Sequence, residues 1–218
     1  MTADAALARV RRHYLDAARA AAELLRDPAV AGAWDRPSAL ARYTVSGLAG
    51  HLAGQVFFAE RALRLDRTGD PPLDILSYYD RVAWMNSGHD DPEHQRIRRG
   101  SQASAADGPA ALSGRVDAAV AGLPGLLADE PVARTVRLPG WAWSLTYDDF
   151  LLSRLVELVV HVDDLAVSVH VPAPPPDPAA AELVIDLLTR VAARRHGPLA
   201  LVRALTRAER APAGIAAF

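Results

Sequence analysis

The run Arg154-Leu155-Val156-Glu157-Leu158-Val159-Val160-His161-Val162-Asp163-Asp164 sets ionisable residues among large apolar ones. On a helix advancing about 100° per residue, Glu157, His161 and Asp164 fall within about 60° of one another, with Arg154 close beside them. That polar stripe runs next to an apolar face of Leu151, Leu155, Leu158 and Val162. Holding such groups near buried surface is costly without partners, and a divalent metal is one partner that would offset the cost. Glu157 and His161, one turn apart, can both reach a single cation, but a zinc-type site needs a third protein ligand. The candidate is His51, within the apolar stretch Val45-Ser46-Gly47-Leu48-Ala49-Gly50-His51-Leu52-Ala53-Gly54-Gln55. Gln55 follows His51 by one turn and should face the same side.

Residue types alone leave other readings open. Glu157 and His161 can be an ordinary i,i+4 pair contributing roughly 0.2–0.5 kcal/mol. His51 can be a satisfied core histidine, and Arg154 can simply pair with Asp164 or Glu157. Trp84, Trp141, Trp143, Phe57 and Phe58 read as packing residues rather than a substrate cage. His89 and His94 sit in a charged loop and read as solvated.

The elements that must position these residues follow from periodicity and punctuation. Ala5 to Asp27 has apolar residues at helical spacing and ends at Asp27-Pro28. A turn-rich stretch with Trp34 to Pro37 follows, and Thr44 is an N-cap candidate for a helix running to about Leu65. Three glycines inside that helix cost roughly 1 kcal/mol each relative to alanine, so they signal a close helix neighbour or room left for a ligand. A shorter helix is expected over Pro71–Asn86, and a helix-rich segment over Glu93–Ala128, broken at Gly108-Pro109. Pro131–Leu145 reads as a loop or short extended excursion. Thr146 should cap the clearest helix, Thr146 to about Val169, with Asp148 and Asp149 complementing its positive start.

Residues 171–178 resemble a stiff polyproline spacer. The expected organisation is therefore a helical domain over 1–170, a linker over 171–178 and an extension over 179–218. The extension, with helices over Ala179–Arg195 and Leu199–Arg207, is too short for its own core and should pack back on the bundle.

Composition narrows the function classes. Among 218 residues, half are apolar, the net charge is −2 and every one of the 24 basic residues is arginine, scattered rather than blocked. That pattern argues against nucleic acid or an anionic membrane as partner. It also points to a GC-rich genome. No stretch approaches an uninterrupted apolar span, and the first residues lack the apolar core of a secretory signal, so a soluble cytoplasmic protein is expected. Cysteine is absent, which removes disulfides, thiolate ligands and a cysteine nucleophile together. Any thiol chemistry must draw its sulfur from a small molecule.

Three stretches resemble the DinB-like superfamily, and more narrowly the N-terminal domain of mycothiol-dependent maleylpyruvate isomerase: Tyr43 to Gly54, Arg154 to Ala166 (RLVELVVHVDDLA) and Leu201 to Thr206. The resemblance implies an all-α, up-down four-helix bundle with a long crossover and a short C-terminal helical extension. It also implies that His51, Glu157 and His161 bind one divalent metal, by default Zn²⁺, with Ni²⁺, Fe²⁺ or Mn²⁺ accepted by similar ligands. Enzymes of that family use the metal to present the thiolate of a small thiol, mycothiol in actinobacteria, for isomerisation or S-transfer. On that pattern Asp164 would orient the thiol or a ligand, and Arg154 and Gln55 would position polar substrate groups. Two other classes share the same ligands: a hydrolase or lyase activating water, and a non-catalytic metal or small-molecule binding protein. The expected partners are a small-molecule substrate and a low-molecular-weight thiol, with the chain a monomer or weak homodimer.

Overall fold

The computed structural model describes residues 3–218 apart from His89, Asp129 and Val132. The reading of His89 as solvated thus lies outside the described residues. The chain is mostly helical with one small sheet.

The first helix, α1 (Ala3–Leu25), buries Tyr14, Ala18, Ala21, Ala22 and Leu25 at helical spacing. Asp27 does more than end it: its carboxylate accepts from Ala29 N at 2.8 Å and starts the short α2 (Pro28–Gly32). Thr44 caps α3 (Val45–Leu63) by accepting from Gly47 N at 3.1 Å. The helix expected over 71–86 is replaced by a strand β1 (Pro72–Leu73), a short α4 (Ile75–Tyr79) and a 3-10 turn over Ala83–Asn86. Two physical causes account for it. The residue before a proline is disfavoured in the helical region, and Asp74 caps a new start by accepting from Leu76 N and Ser77 N.

Next come α5 (Pro92–Ser104) and α6 (Pro109–Ala128), divided at Gly108-Pro109 as expected, with Gly108 at a positive φ of 89°. The excursion before the last long helix supplies β2 (Thr135–Val136) and β3 (Ser144–Thr146). β3 is central, parallel to β1 (Leu73 opposite Leu145) and antiparallel to β2 (Val136 opposite Leu145). This sheet departs from a purely all-α expectation; between β2 and β3 the Trp141 ring meets Phe150, near the start of α7 (Tyr147–Val169), with centroids 6.2 Å apart. Thr146 caps α7 through Asp149 N at 3.0 Å. Asp148, expected only to complement the helix start, is buried and takes Arg11 Nε at 2.7 Å, tying α1 to α7.

Helix α7 packs on α1 and α3, α6 packs on the same two helices, and α5 lies along α3. Tyr14, Leu48, Leu52, Leu112, Phe150, Leu155 and Leu158 are among the fully buried side chains between them. The Tyr14 hydroxyl donates to Gln55 O and the Tyr147 hydroxyl to Ala59 O, so both core phenols are satisfied on α3.

Beyond the proline-rich stretch, α8 (Pro178–His196) lays Ala180, Val184, Leu187 and Val191 into the same core. The final helix, α9 (Pro198–Thr206), packs on α8 and leaves Leu199, Val202 and Leu205 exposed. Among the described residues, no helix is long and apolar enough to cross a membrane.

Candidate metal centre

His51 sits mid-way along α3, and Glu157 and His161 lie one turn apart on α7, where the two helices pack together. Glu157 Oε2 lies 3.3 Å from His51 Nε2 and 3.2 Å from His161 Nε2. The imidazole rings meet edge to face with centroids 4.6 Å apart. One donor atom from each of the three residues falls within 4.8 Å of the others. A single cation can therefore reach two imidazole nitrogens and a carboxylate oxygen at once, which is the donor chemistry that suits a divalent ion such as zinc.

The outer nitrogens fix which lone pairs face inward. Ser101 Oγ donates to Ile97 O at 2.9 Å, so it accepts from His51 Nδ1 at 3.3 Å. Asp164 Oδ2 accepts from His161 Nδ1 at 2.9 Å. With Nδ1 carrying the hydrogen in each neutral ring, both Nε2 lone pairs point at the cluster, the arrangement by which outer partners orient metal-binding histidines. Asp164 was identifiable from its place on the polar stripe of α7. Ser101 was not: it comes from α5, and nothing in its surroundings in the sequence marks it.

Protonation follows from the same contacts. Burial opposes charge on Glu157, but the hydrogen bond and charge of His161 and the nearby Arg154 hold its carboxyl well below the usual range. Burial likewise opposes the His161 cation, yet Asp164 and Glu157 outweigh it and push its pKa up to about 9. Burial dominates at His51, whose pKa is lowered despite Glu157. The metal-free cluster at neutral pH is thus a carboxylate, an imidazolium and a neutral imidazole. Because the folded His161 pKa lies above the ordinary value near 6.5, its ion pairs stabilise the metal-free fold below that pH and are lost as pH rises through about 9. A metal must displace that proton. Metal uptake at pH 7.5 is expected to release about one proton per ion, with apparent affinity rising about tenfold per pH unit until near pH 9. Calorimetry in two buffers of different ionisation enthalpy measures the release; a value near zero would contradict the assignment.

Asp164→Ala is expected to weaken metal binding about 10- to 100-fold with the fold intact, measured by competition with a coloured chelator. The ligands themselves are left in place by this change, so an unchanged affinity would show that His161 needs no orienting partner.

Gln55 and Arg154 stand next to the cluster. Gln55, 1% exposed, places Nε2 3.4 Å from His51 Nε2 and 3.0 Å from His51 O. Its Oε1 accepts from Arg154 Nη1 at 2.7 Å. Arg154 also reaches Tyr78 Oη at 3.5 Å and Ser153 Oγ at 3.2 Å, all neutral partners, and its guanidinium covers the Phe150 ring at 5.4 Å. The sequence reading in which Arg154 pairs with Asp164 is not what the fold shows, since Asp164 is turned to His161.

His51, Gln55, Tyr78, Ser101, Arg154, Glu157 and His161 line one cavity of about 990 Å³, with Asp164 behind its wall. Trp84, Trp141, Trp143, Phe57 and Phe58, expected to serve packing, line this cavity too. His94, expected in solvent, is part-buried with Nε2 3.2 Å from Trp84 O, and it also faces the cavity. The α5 start and the Trp141–Trp143 loop are brought over α3 and α7 only by the tertiary fold.

A helical protein with two histidines and a glutamate converging from two helices, at the wall of a large cavity, is the class these features define. The family model of the mycothiol maleylpyruvate isomerase N-terminal domain matches residues 14–166, and the chain belongs to that family. His51, Gln55, Arg154, Glu157, His161 and Asp164 all fall inside the matched span. No curated protein and no solved structure matches the chain.

Proposed function

We propose that this chain is a metal-dependent enzyme that uses a small thiol of the mycothiol type for S-transfer to, or isomerisation of, an electrophilic small molecule. The observation that carries the reading is the convergence of His51, Glu157 and His161 beside a cavity large enough for two small substrates, in a chain of this family. A divalent ion held there, Zn²⁺ by default and Ni²⁺, Fe²⁺ or Mn²⁺ by ligand similarity, would supply the positive charge that keeps a thiol deprotonated at neutral pH.

The protein's own groups do the rest. His51 and His161 present neutral Nε2 lone pairs once His161 has given up its proton, and Glu157 supplies the negative charge between them. Asp164 holds the His161 ring in place from behind. Arg154, whose described hydrogen-bond partners are neutral, and Gln55 orient polar groups of the substrates by hydrogen bonding. The aromatic walls limit water around the reacting atoms. In architecture we read α1, α3, α6 and α7 as a DinB-like up-down four-helix bundle with α5 in the crossover. The 1–170 domain would then carry the site, with the linker and extension attached. We place the protein in the cytoplasm, as a monomer or weak homodimer.

Titration calorimetry of mycothiol into zinc-loaded and metal-free protein tests the function. Binding is expected only with metal. Fully loaded protein that takes up no mycothiol would overturn the thiol reading and favour activation of water by the same ligands. Turnover of any electrophile by loaded protein, above the metal-free control, counts against a purely binding role.

A further inference from the structure

Residues 211–218, outside the span matched by the family, return to the C-terminal end of α8. His196 Nε2 lies 2.7 Å from Ala216 O, and Arg195 Nη1 donates to Ala217 O at 3.3 Å. These contacts bring the Phe218 ring onto Tyr79, stacked with centroids 5.9 Å apart, and edge to face with Trp84 at 5.2 Å. Phe218 and Trp84 line the same cavity as the His51, Glu157 and His161 cluster. Trp141 lines it as well, held by Tyr78 at 5.4 Å and stacked on Trp143 at 5.9 Å. A chain of contacts leads from the polar centre to these rings: His51 to Gln55, Gln55 to Arg154, Arg154 to Tyr78, and Tyr78 to both Trp141 and Tyr79.

Phe218 remains 41% exposed although its backbone is tied at two neighbouring carbonyls. A large ring positioned in this way, with free surface at a cavity wall, presents that surface to whatever enters. Aromatic faces favour flat rings over aliphatic groups of equal area, because offset and edge-to-face contacts add to simple burial.

We propose that Phe218, Trp84 and Trp141 form the acceptor subsite of the cavity and take a flat aromatic electrophile, with Phe218 delivered by the C-terminal segment. This rests on the thiol-transfer reading above. In the reaction the thiol loses its proton to solvent, and its sulfur forms a C–S bond at the ring carbon bearing a leaving group such as chloride. The leaving group departs with the bonding electron pair, so no oxidant or reductant is needed. Arg154 and Gln55 stand between this subsite and the metal-binding cluster, where they can orient polar substituents on the ring.

The test uses 1,3-dinitrobenzene, a flat ring without a leaving group that quenches tryptophan fluorescence, added to the full chain without thiol, both metal-free and zinc-loaded. Saturable quenching is expected in both forms. Phe218→Ala should weaken binding about fivefold, and Phe218→Tyr should hold it within about twofold. His196→Ala keeps every ring of the subsite but removes one of the two ties that hold the tail, and should weaken binding in the same direction, by up to the roughly fivefold of Phe218→Ala. Equal affinity in wild type, Phe218→Ala and His196→Ala, or no saturable quenching, would overturn the subsite. Its failure is distinguishable from failure of the thiol reading, because mycothiol binding is measured separately and without the aromatic probe. Lost ring binding with mycothiol binding intact removes the subsite alone; the reverse removes the thiol reading and with it the acceptor role, leaving a site that binds flat rings.

Discussion

Glu157→Ala is expected to reduce bound metal from about one ion per chain to under about a tenth, measured by elemental analysis of untagged protein. Glu157 Oε2 is the shared neighbour of both histidine nitrogens, at 3.3 and 3.2 Å, so its loss removes the negative charge placed between them. Four-ligand zinc sites hold their ion by roughly 10–16 kcal/mol, or about 3 kcal/mol per ligand, so one deletion should weaken binding by about 100-fold or more. His51→Ala and His161→Ala should act alike. Gln55→Ala is the internal control, since its amide approaches His51 without offering the cluster a charge. Thermal melts of each variant separate loss of ligand from loss of fold. If all three ligand variants kept their metal, the centre described here would be wrong.

The second large effect concerns Gly50, the residue before His51. A Cβ at this position would fall 2.0 Å from Ser101 O, a backbone carbonyl of α5 that cannot swing aside. Gly50→Ala must therefore push α5 from α3, and we expect a loss of about 3 kcal/mol, with Tm lower by roughly 6–12 °C for a chain of this size. The same displacement moves Ser101 Oγ away from His51 Nδ1, so metal affinity should fall together with stability. Gly54 provides the contrast. Its Cβ would meet only Phe58 Cε2 at an ordinary 3.7 Å, and Gly54→Ala should raise stability by up to about 1 kcal/mol through helix propensity. Equal melting temperatures for the two variants would contradict the close approach of α3 and α5.

Those two glycines mark where reading by sequence stops. Helical spacing made three glycines in α3 conspicuous, and either a close neighbour or open space would have accounted for them. Both glycines border the cavity, but the fold separates the two explanations: Gly50 is pressed on α5, whereas a Cβ at Gly54 would have room. In the same way, the spacing of Glu157, His161 and Asp164 was legible because a helix has one period, and Thr44 and Thr146 announced the starts of α3 and α7 because capping is a local event. The segment over 71–86 is not one helix because Pro71-Pro72 favours extended backbone and Asp74 caps a new start, while the strand that pairs with β1 lies more than 70 positions away, where no local pattern announces it.

What the sequence determined by itself was local: long amphipathic helices, their caps and breaks, a polar stripe on α7 and a histidine within the apolar run of α3. Only the likeness to a family, not helical spacing, ties that histidine to the stripe at the level of sequence. Tertiary structure alone decided that Ser101 supports His51, that Arg154 turns to Gln55 and Tyr78 rather than to a carboxylate, and that Phe218 reaches the cavity occupied by residues over 160 positions earlier. The physical reason is that periodicity and capping act over one or two turns of chain. Which side chains meet across helices is set by how whole faces pack, and that information is spread over the entire core.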